Sequence, residues 1–543
     1  MSKQHWSVDS LVYRNHTLFG FGWAFHEEKI ICDIKLIVKS PDGSLESIPA
    51  TFGSSRDDVS HHYSDFKSAL HSGFLLYGTC VKDVDANSVF SLLVAYEDQS
   101  SEMLSISQTA IISLGQGAEN ALPLFRQFWF FAKRGLSLAR QLKFRLLFEK
   151  IGRYARNRPT GNLAGVPEAV KLLESQIKQA SILIIDHDLG GGANHYRERL
   201  VSEKILEGKT VYIFSFHVAT LSYVVMVRTG TSSNTFSIPG YSFLFELAGL
   251  LNVEELIYNT GVSFAKSEEL PQLMIDLRSK LDIKLTVLVH DFFMVCPSHF
   301  LLNYAGNYCG IPSLEMCQSC LVKNNHGFTS LFQARDMRQW RALWGTVLSN
   351  ADEIRTFSNN TLTLLREAYP SIELSRTVVQ PHSVDYIESI AVEPTQTDEL
   401  RIGVVGQIGS HKGAKVVQQL SEEIKRQGLS VKVVIIGTIE ASCDTAVVSQ
   451  TGHYKHDDLP SLIRSAGVNV MLFPSIWPET FSYVVQELIE LDLPVACFDL
   501  GAPSERLALY EKGLVLKSFE IPSVLDELVR FHQRVYFVKE FSK

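Results

Sequence analysis

Along the chain, the spacing of apolar positions changes character several times. Up to residue 112, short aromatic or β-branched runs roughly alternate with polar residues: "LFGFGWAF", "DIKLIVKS" and "VFSLLVAY". This period predicts strands, and "SPDG" (Ser40 to Gly43) supplies a turn between two of them. Strands so spaced predict a small β-sandwich. Between 118 and 158, Leu124, Phe128, Phe131, Leu136, Leu138, Leu142, Leu146 and Leu147 recur at loosely helical spacing. From about 165, strand and helix patterns alternate. "SILIID" (181–186), "TVYIFSF" (210–216), "ELIYN" (255–259), "KLTVLVHD" (284–291) and "EIRTFS" (353–358) form one series of strands. After the polar stretch "VEPTQTDE" (392–399) a second series follows: "RIGVVG" (401–406), "VKVVIIG" (431–437), "NVMLFP" (469–474), "LPVACFD" (493–499) and "GLVL" (513–516). Continuous apolar strands of this kind are buried on both faces, as in parallel sheets. The fold class expected is α/β, organised as a β-rich accessory domain (1–112), a basic amphipathic helix with linker (113–162), a first α/β domain (163–392) and a second (393–543). Two successive α/β domains imply a cleft, with ligands beyond the carboxyl ends of the strands.

The chain's 543 residues exceed one compact core, and 45% hydrophobic with 20% charged residues is ordinary globular usage. A net charge of −8 argues against nucleic acid as a partner. "MSKQHWSVDS" lacks an apolar leader, and no apolar run approaches the roughly 18 residues of a membrane span, so a cytoplasmic protein is expected. Charge is unevenly distributed. From Arg126 to Arg158 there are ten Lys and Arg residues, against Glu119 and Glu149. With its Trp and Phe residues, segment 118–158 reads as a helix lying on an anionic membrane surface. The alternative is an interdomain helix with a solvated basic face. "NRPTGN" (157–162) follows as a linker.

Four constellations could carry chemistry. Gly190, Gly191 and Gly192 lead from the end of a strand at Asp186 into a helix, where a backbone can approach a phosphate. The G-x-G-x-x-G fingerprint is absent, so a nicotinamide cofactor is not supported. "GVVGQIGSHKG" places Lys412 at the matching turn of the second domain, where it can neutralise a leaving diphosphate. "SIWPETFSYVVQEL" carries Glu479 and Glu487; Pro478 puts the first on a loop or first turn and the second within a helix. Carboxylates so placed suit hydroxyl recognition better than a hydrolytic acid/base pair. Finally, Cys296, Cys309, Cys317 and Cys320, spaced C-x12-C-x7-C-x2-C, suit a structural zinc site or are reduced thiols under a loop. Cys32, Cys80, Cys443 and Cys497 read as core, and Phe21, Trp23 and Tyr63 as core rather than a sugar-binding platform.

"PETFSYVVQE" followed by "LPVACFDLGAPSER" resembles the E-x7-E region of retaining GT-B glycosyltransferases of the family-4 type, and "GQIGSHKG", "GGGANHY" and "VVQPHSVD" fall where that family has related segments. The resemblance spans roughly 180–530. It implies a GT-B fold of two Rossmann-like domains and a retaining transfer from a nucleotide-diphosphate sugar donor to a surface polysaccharide or lipid-linked glycan acceptor, with no catalytic cofactor. It implies that Glu487 binds ribose hydroxyls and Glu479 the donor sugar. Lys412, with backbone N–H groups near Gly191, Gly192 and Gly409, would hold the diphosphate. Thr480 and Phe481 would line the donor site, and His290 in "LVHD" would stand near the reacting centre. The family's usual arginine five residues before the lysine is here Gln407, with His411 a stand-in cation if protonated. Rival readings are a nucleotide-sugar epimerase or hydrolase on the same scaffold, and a non-catalytic glycan-binding subunit. The expected location is the inner face of the cell membrane, peripherally bound.

Overall fold

The computed structural model describes residues 3–107, 111–113, 179–384, 386 and 399–537, except single positions 55, 219, 231 and 239. The basic segment 118–158, the linker at 157–162 and nearly all of the hinge at 392–399 lie outside the described residues. The chain packs as two compact units. The first comprises 1–190, 197–285 and 328–335; the second comprises 191–196, 286–327 and 336–543.

The first unit opens with β1 (Gln4–Arg14), β2 (Thr17–His26), β3 (Ile31–Lys39), β4 (Leu45–Ser54), the short helix α1 (Asp57–His62), β5 (Gly73–Thr79), β6 (Val89–Tyr96), β7 (Ser101–Ser105) and β8 (Ile111–Ser113). The predicted turn is present: Gly43 sits at φ 86 and its N–H donates to Ser40 O at 2.9 Å. The strands join in one order, β7-β6-β3-β4-β5-β2-β1-β8. The ends of this order curl together. Tyr13 on β1 meets Phe90 on β6 at 5.9 Å, and the Tyr96 hydroxyl on β6 donates to Gln4 Oε1 on β1 at 2.9 Å. Alternation explains the single core inside the curl: Ile34, Leu36 and Val38 on β3 and Leu92 and Val94 on β6 point inward and are buried. Trp23 and Tyr63, both half-buried, are packed in a ring cluster with Phe25, Phe66 and His5, and are tilted 52° to each other. Cys80 is core as expected, whereas Cys32 is exposed on β3, the alternate face of a strand whose other face is buried.

The same unit continues with β9 (Ser181–Ile185), α2 (Gly192–Leu206), β10 (Thr210–His217), β11 (Ser222–Thr229), β12 (Ser232–Ile238), α3 (Tyr241–Leu250), β13 (Val253–Tyr258) and α4 (Leu270–Leu281). β9, β10 and β13 are parallel; β9 is buried throughout and apolar after its first serine, whereas β13 carries Glu254 and Glu255 before its buried apolar end. β11 and β12 are absent from the sequence expectation and run antiparallel beyond β10. Short hairpin connections permit this, whereas a parallel pair needs a crossover. The accessory strands dock on the loop after β13. The Tyr77 hydroxyl donates to Ser263 O at 2.6 Å, and Ser330 Oγ to Tyr77 O.

In the second unit, β14 (Lys284–Leu288) is followed by a long loop, α5 (Leu314–Leu321) and α6 (Met337–Asn350); then come β15 (Glu353–Thr356), α7 (Asn359–Ala368) and β16 (Thr377–Val379). These three strands are parallel. The C-terminal part contains β17 (Leu400–Ile408), α8 (Ala414–Gln427), β18 (Val431–Ile439), β19 (Val448–Gln450), α9 (Leu459–Ala466), β20 (Val470–Phe473), α10 (Tyr483–Glu490), β21 (Val495–Phe498), α11 (Gly501–Leu507), β22 (Gly513–Leu516) and α12 (Ile521–Phe537). Its sheet, β19-β18-β17-β20-β21-β22, is parallel throughout. Apolar residues cover both faces. Val417, Leu420 and Ile424 of α8 pack with Leu525 and Leu528 of α12 on one side, and Leu459, Ile463, Val485 and Leu488 pack on the other. Among the described residues no helix is long and apolar enough to cross a membrane.

One ionisable group in the first unit sets a pH dependence. The loop after β13 carries Ser263 and Lys266 at positive φ and ends at Glu268. Burial pushes the Glu268 carboxyl up to about 7, helped by Glu269 and opposed by Lys266. Between the ordinary glutamate range and about 7 the folded chain keeps a proton that the unfolded chain releases, so stability falls as pH rises through this window. Glu268→Gln is expected to abolish that fall, raising stability at pH 8 by about 3 kcal/mol and leaving pH 4 nearly unchanged. Urea midpoints of both proteins at the two pH values check this.

Candidate functional site

The site is built from loops of the second unit. β14 ends just before His290, whose carbonyl accepts a hydrogen bond from Thr480 Oγ1 at 2.8 Å. The following turn is held from beneath. Asp291 Oδ1 accepts from Phe293 N at 2.8 Å, and the carbonyls of Phe293, Met294 and Val295 accept from Trp340 Nε1, the Tyr369 hydroxyl and Arg341 Nε. The His290 ring lies on Phe357 at 4.5 Å and meets Tyr196 at 5.0 Å and His382 at 5.4 Å. His290 therefore stands among aromatic rings just beyond the end of β14.

The lysine loop runs from the end of β17 to α8. Ala414 N–H donates to Gly409 O, and Gly413 at φ 84 lies where a Cβ would fall 2.0 Å from Pro474 O. Only glycine fits this approach, which brings the Lys412 turn against the loop that carries Glu479. Glu479 precedes α10, whose N-cap Ser482 accepts from Val485 N. Its backbone is tightly apposed to α11: Ala502 N–H donates to Glu479 O at 2.8 Å, and a Cβ on Gly501 would sit 2.5 Å from the same oxygen. Glu479 is 8% exposed. Burial raises its pKa, while the charge of Lys412 and the polar groups of Ser475, Trp477 and Ser482 draw it down. Among the described residues its Oε1 has no hydrogen-bond partner.

Glu487 lies in α10 and is fully buried. Its Oε1 accepts from the Tyr386 hydroxyl at 2.5 Å and lies 3.4 Å from His456 Nδ1, and its Oε2 has no hydrogen-bond partner among the described residues. The two glutamates thus have separate neighbours. A run of rings joins them: Phe481 stacks on His382 at 4.5 Å, His382 Nδ1 and the Tyr483 hydroxyl are 2.7 Å apart, and His195 meets both Tyr483 and Tyr386.

The other expected site residues have the following contacts. Thr480 and Phe481 are buried; Thr480 Oγ1 donates to His290 O, and Phe481 meets His382 and Arg506. His411 stacks flat on Phe300 at 4.2 Å, and burial with the adjacent Lys412 pushes its pKa down to about 4. It is neutral at neutral pH and cannot replace the absent arginine. Gln407 pairs with His453 at 3.1 Å. Gly191 adopts φ 88 before α2, and a Cβ on Gly192 would lie 3.1 Å from the Tyr483 ring; Gly409 lies against the Glu440 carboxylate. Tyr386, Tyr483 and His382 were not singled out as site residues. Their only signal was position, in the segments after "VVQP" and between the two glutamates. Cys296, Cys309, Cys317 and Cys320 line one cavity, yet among the described residues no three His, Cys, Asp or Glu side chains are gathered as a metal-holding group. Glu505 on α11 accepts from Asn359 N, Asn360 N and Asn359 Nδ2, capping α7.

Comparison with known proteins bears on this geometry. Residues 385–531, which include Tyr386, Lys412, Glu479 and Glu487, match the family model "glycosyl transferases group 1". No curated protein sequence matches the chain. Among solved structures, the chain is similar to Anabaena Alr3699/HepE in complex with UDP and glucose (14% identity, 66% of this chain and 90% of that chain, TM-score 0.40). It is also similar to a glycosyltransferase from Rickettsia africae (13%, 66% and 89%, 0.42) and to TarM of S. aureus (11%, 70% and 88%, 0.33). The chain carries a group 1 glycosyltransferase domain over residues 385–531, and its enzyme class is glycosyltransferase.

Proposed function

We propose that this enzyme has the GT-B arrangement and transfers a sugar, with retention at the anomeric carbon, from a nucleotide-diphosphate donor to a surface polysaccharide or lipid-linked glycan. The observation that carries this reading is the apposition of Lys412 and the buried Glu479, fixed by Gly413 and Gly501 where side chains would collide. A desolvated carboxylate with a free oxygen beside an ammonium group suits a ligand that presents hydroxyls on one side and a diphosphate on the other. Lys412, with the N-terminus of α8 behind it, would stabilise charge as the sugar–phosphate bond breaks. Glu479 would orient the sugar, and Glu487 Oε2 would take a ribose hydroxyl beside Tyr386. The departing diphosphate can accept the acceptor's proton on the same face, so no protein nucleophile is required; the protein orients the reactants. No residue here is assigned to a catalytic cofactor.

In this reading residues 1–112 form a sandwich-like accessory domain, and 163–392 and 393–543 form the acceptor-side and donor-side halves. Segment 118–158 would hold the enzyme on the inner face of the cell membrane, near its acceptor.

Lys412→Ala and Glu479→Ala are each expected to cut transfer by about 10²–10³ in kcat with folding intact, as in the loss of a transition-state charge partner. Glu487→Ala is expected to raise the donor KM. Transfer assays over a panel of nucleotide-diphosphate sugars check this, with the product's anomeric configuration read by NMR. Rapid epimerisation or hydrolysis without acceptor would favour the rival enzymes, and full activity in both alanine variants would favour a scaffold. For the membrane, the full chain is expected to sediment with vesicles containing anionic lipid and to stay in the supernatant with neutral ones, the difference shrinking as salt rises.

A further inference from the structure

Four of the chain's eight cysteines lie in the loop and short helix between β14 and α6, and all four line a single cavity of about 540 Å³. All four sulfurs have polar neighbours, and the Cys317 S–H donates to Pro312 O at 3.6 Å. The backbone N–H of Ser298 donates to the sulfur of Cys296, and that of Ile311 to the sulfur of Cys309, in each case from two residues further on. The second of these turns holds Gly310 and Ile311 at φ 63 and 50, a conformation that isoleucine rarely adopts. Asn324 Nδ2 donates to Cys320 Sγ at 3.6 Å. The Arg341 guanidinium lies near Cys296 and Cys317, and its own donors are fixed by the carbonyls of Val295 and Ala368. Cys317 and Cys320, three residues apart on α5, share a helix face. N–H donors to sulfur and a neighbouring cation are what a cluster of metal-bound thiolates requires to offset its excess negative charge.

We propose that Cys296, Cys309, Cys317 and Cys320 form a tetrathiolate site for a zinc-class divalent cation. As they stand, the four side chains line the cavity without being gathered as a metal-holding group, so binding would draw α5 toward the 296–311 loop. Four S–H protons pass to solvent as four metal–sulfur bonds form, with no change of oxidation state. The site would also act at a distance. Phe300, in the same loop, stacks on His411 and packs on Trp477 at 4.8 Å, and these residues adjoin Lys412 and Glu479. The ion would thereby steady the wall of the lysine loop; this second role rests on the donor-site reading above.

The test begins with the full chain, purified without chelator and under reducing conditions. Metal analysis is expected to give about one zinc per chain. Four thiols should be shielded from a chromogenic disulfide reagent and become reactive together when a chelator removes the metal, with a fall in Tm. Cys309→Ser and Cys320→Ser should each lose the metal and raise the donor KM several-fold, whereas Cys32→Ser and Cys443→Ser should retain both. Native protein with less than about a tenth of an equivalent of metal and freely reactive thiols would overturn the site, as would iron in place of zinc or a disulfide between Cys317 and Cys320. Metal content is read on the unmodified chain, so its outcome is independent of whether sugar transfer is the reaction.

Discussion

Three consecutive carbonyls in the turn after β14, those of Phe293, Met294 and Val295, are satisfied by side chains rather than by a strand or helix. A buried backbone acceptor left unpaired costs on the order of 1–3 kcal/mol, so the chain can leave β14 in this direction only because Trp340, Tyr369 and Arg341 are in place. Trp340 and Trp344 are completely buried, which fixes α6 as the platform for two of those donors. His290 sits at the head of this turn, and its own carbonyl is taken by Thr480. The loop that bears Glu479 is therefore registered against β14 by a hydrogen bond from the residue next to the carboxylate.

The electrostatics of the site are sparse. In the turn between β17 and α8, Lys412 is the one permanent cation, because Gln407 is uncharged and His411 is neutralised by burial under Phe300. Its charge draws down the pKa of the buried Glu479, which burial raises. Glu487 is different. It is already engaged by Tyr386, whose hydroxyl is made a poorer acid by burial and by that same carboxylate.

The strands of the C-terminal sheet were legible because each is an unbroken apolar run, the pattern that burial on both faces imposes. Only β19, three residues long, escaped it. β11 and β12 escaped for another reason: hairpin strands appended to a parallel sheet follow no crossover rhythm, and "SYVVMVRT" reads equally as a strand or as part of a helix. Lys412, Glu479 and His290 could be read from their place at strand ends. The contacts of Thr480, Phe481 and His411 could not, since each is made with a ring or carbonyl that lies far away in sequence. Tyr386 is the clearest case, a lone tyrosine whose importance comes entirely from a carboxylate on α10.

The cap on α7 has a mechanical consequence. Glu505 offers both of its oxygens to the first amides of that helix, although it belongs to α11, some 145 residues further along the chain. The start of α7 and the end of the loop bearing Glu479 are therefore tethered through one short helix. Any motion that swung α11 away would expose two amide hydrogens to water and give up charge-assisted bonds. Glu505 thus acts as a latch between two helices that are distant in sequence.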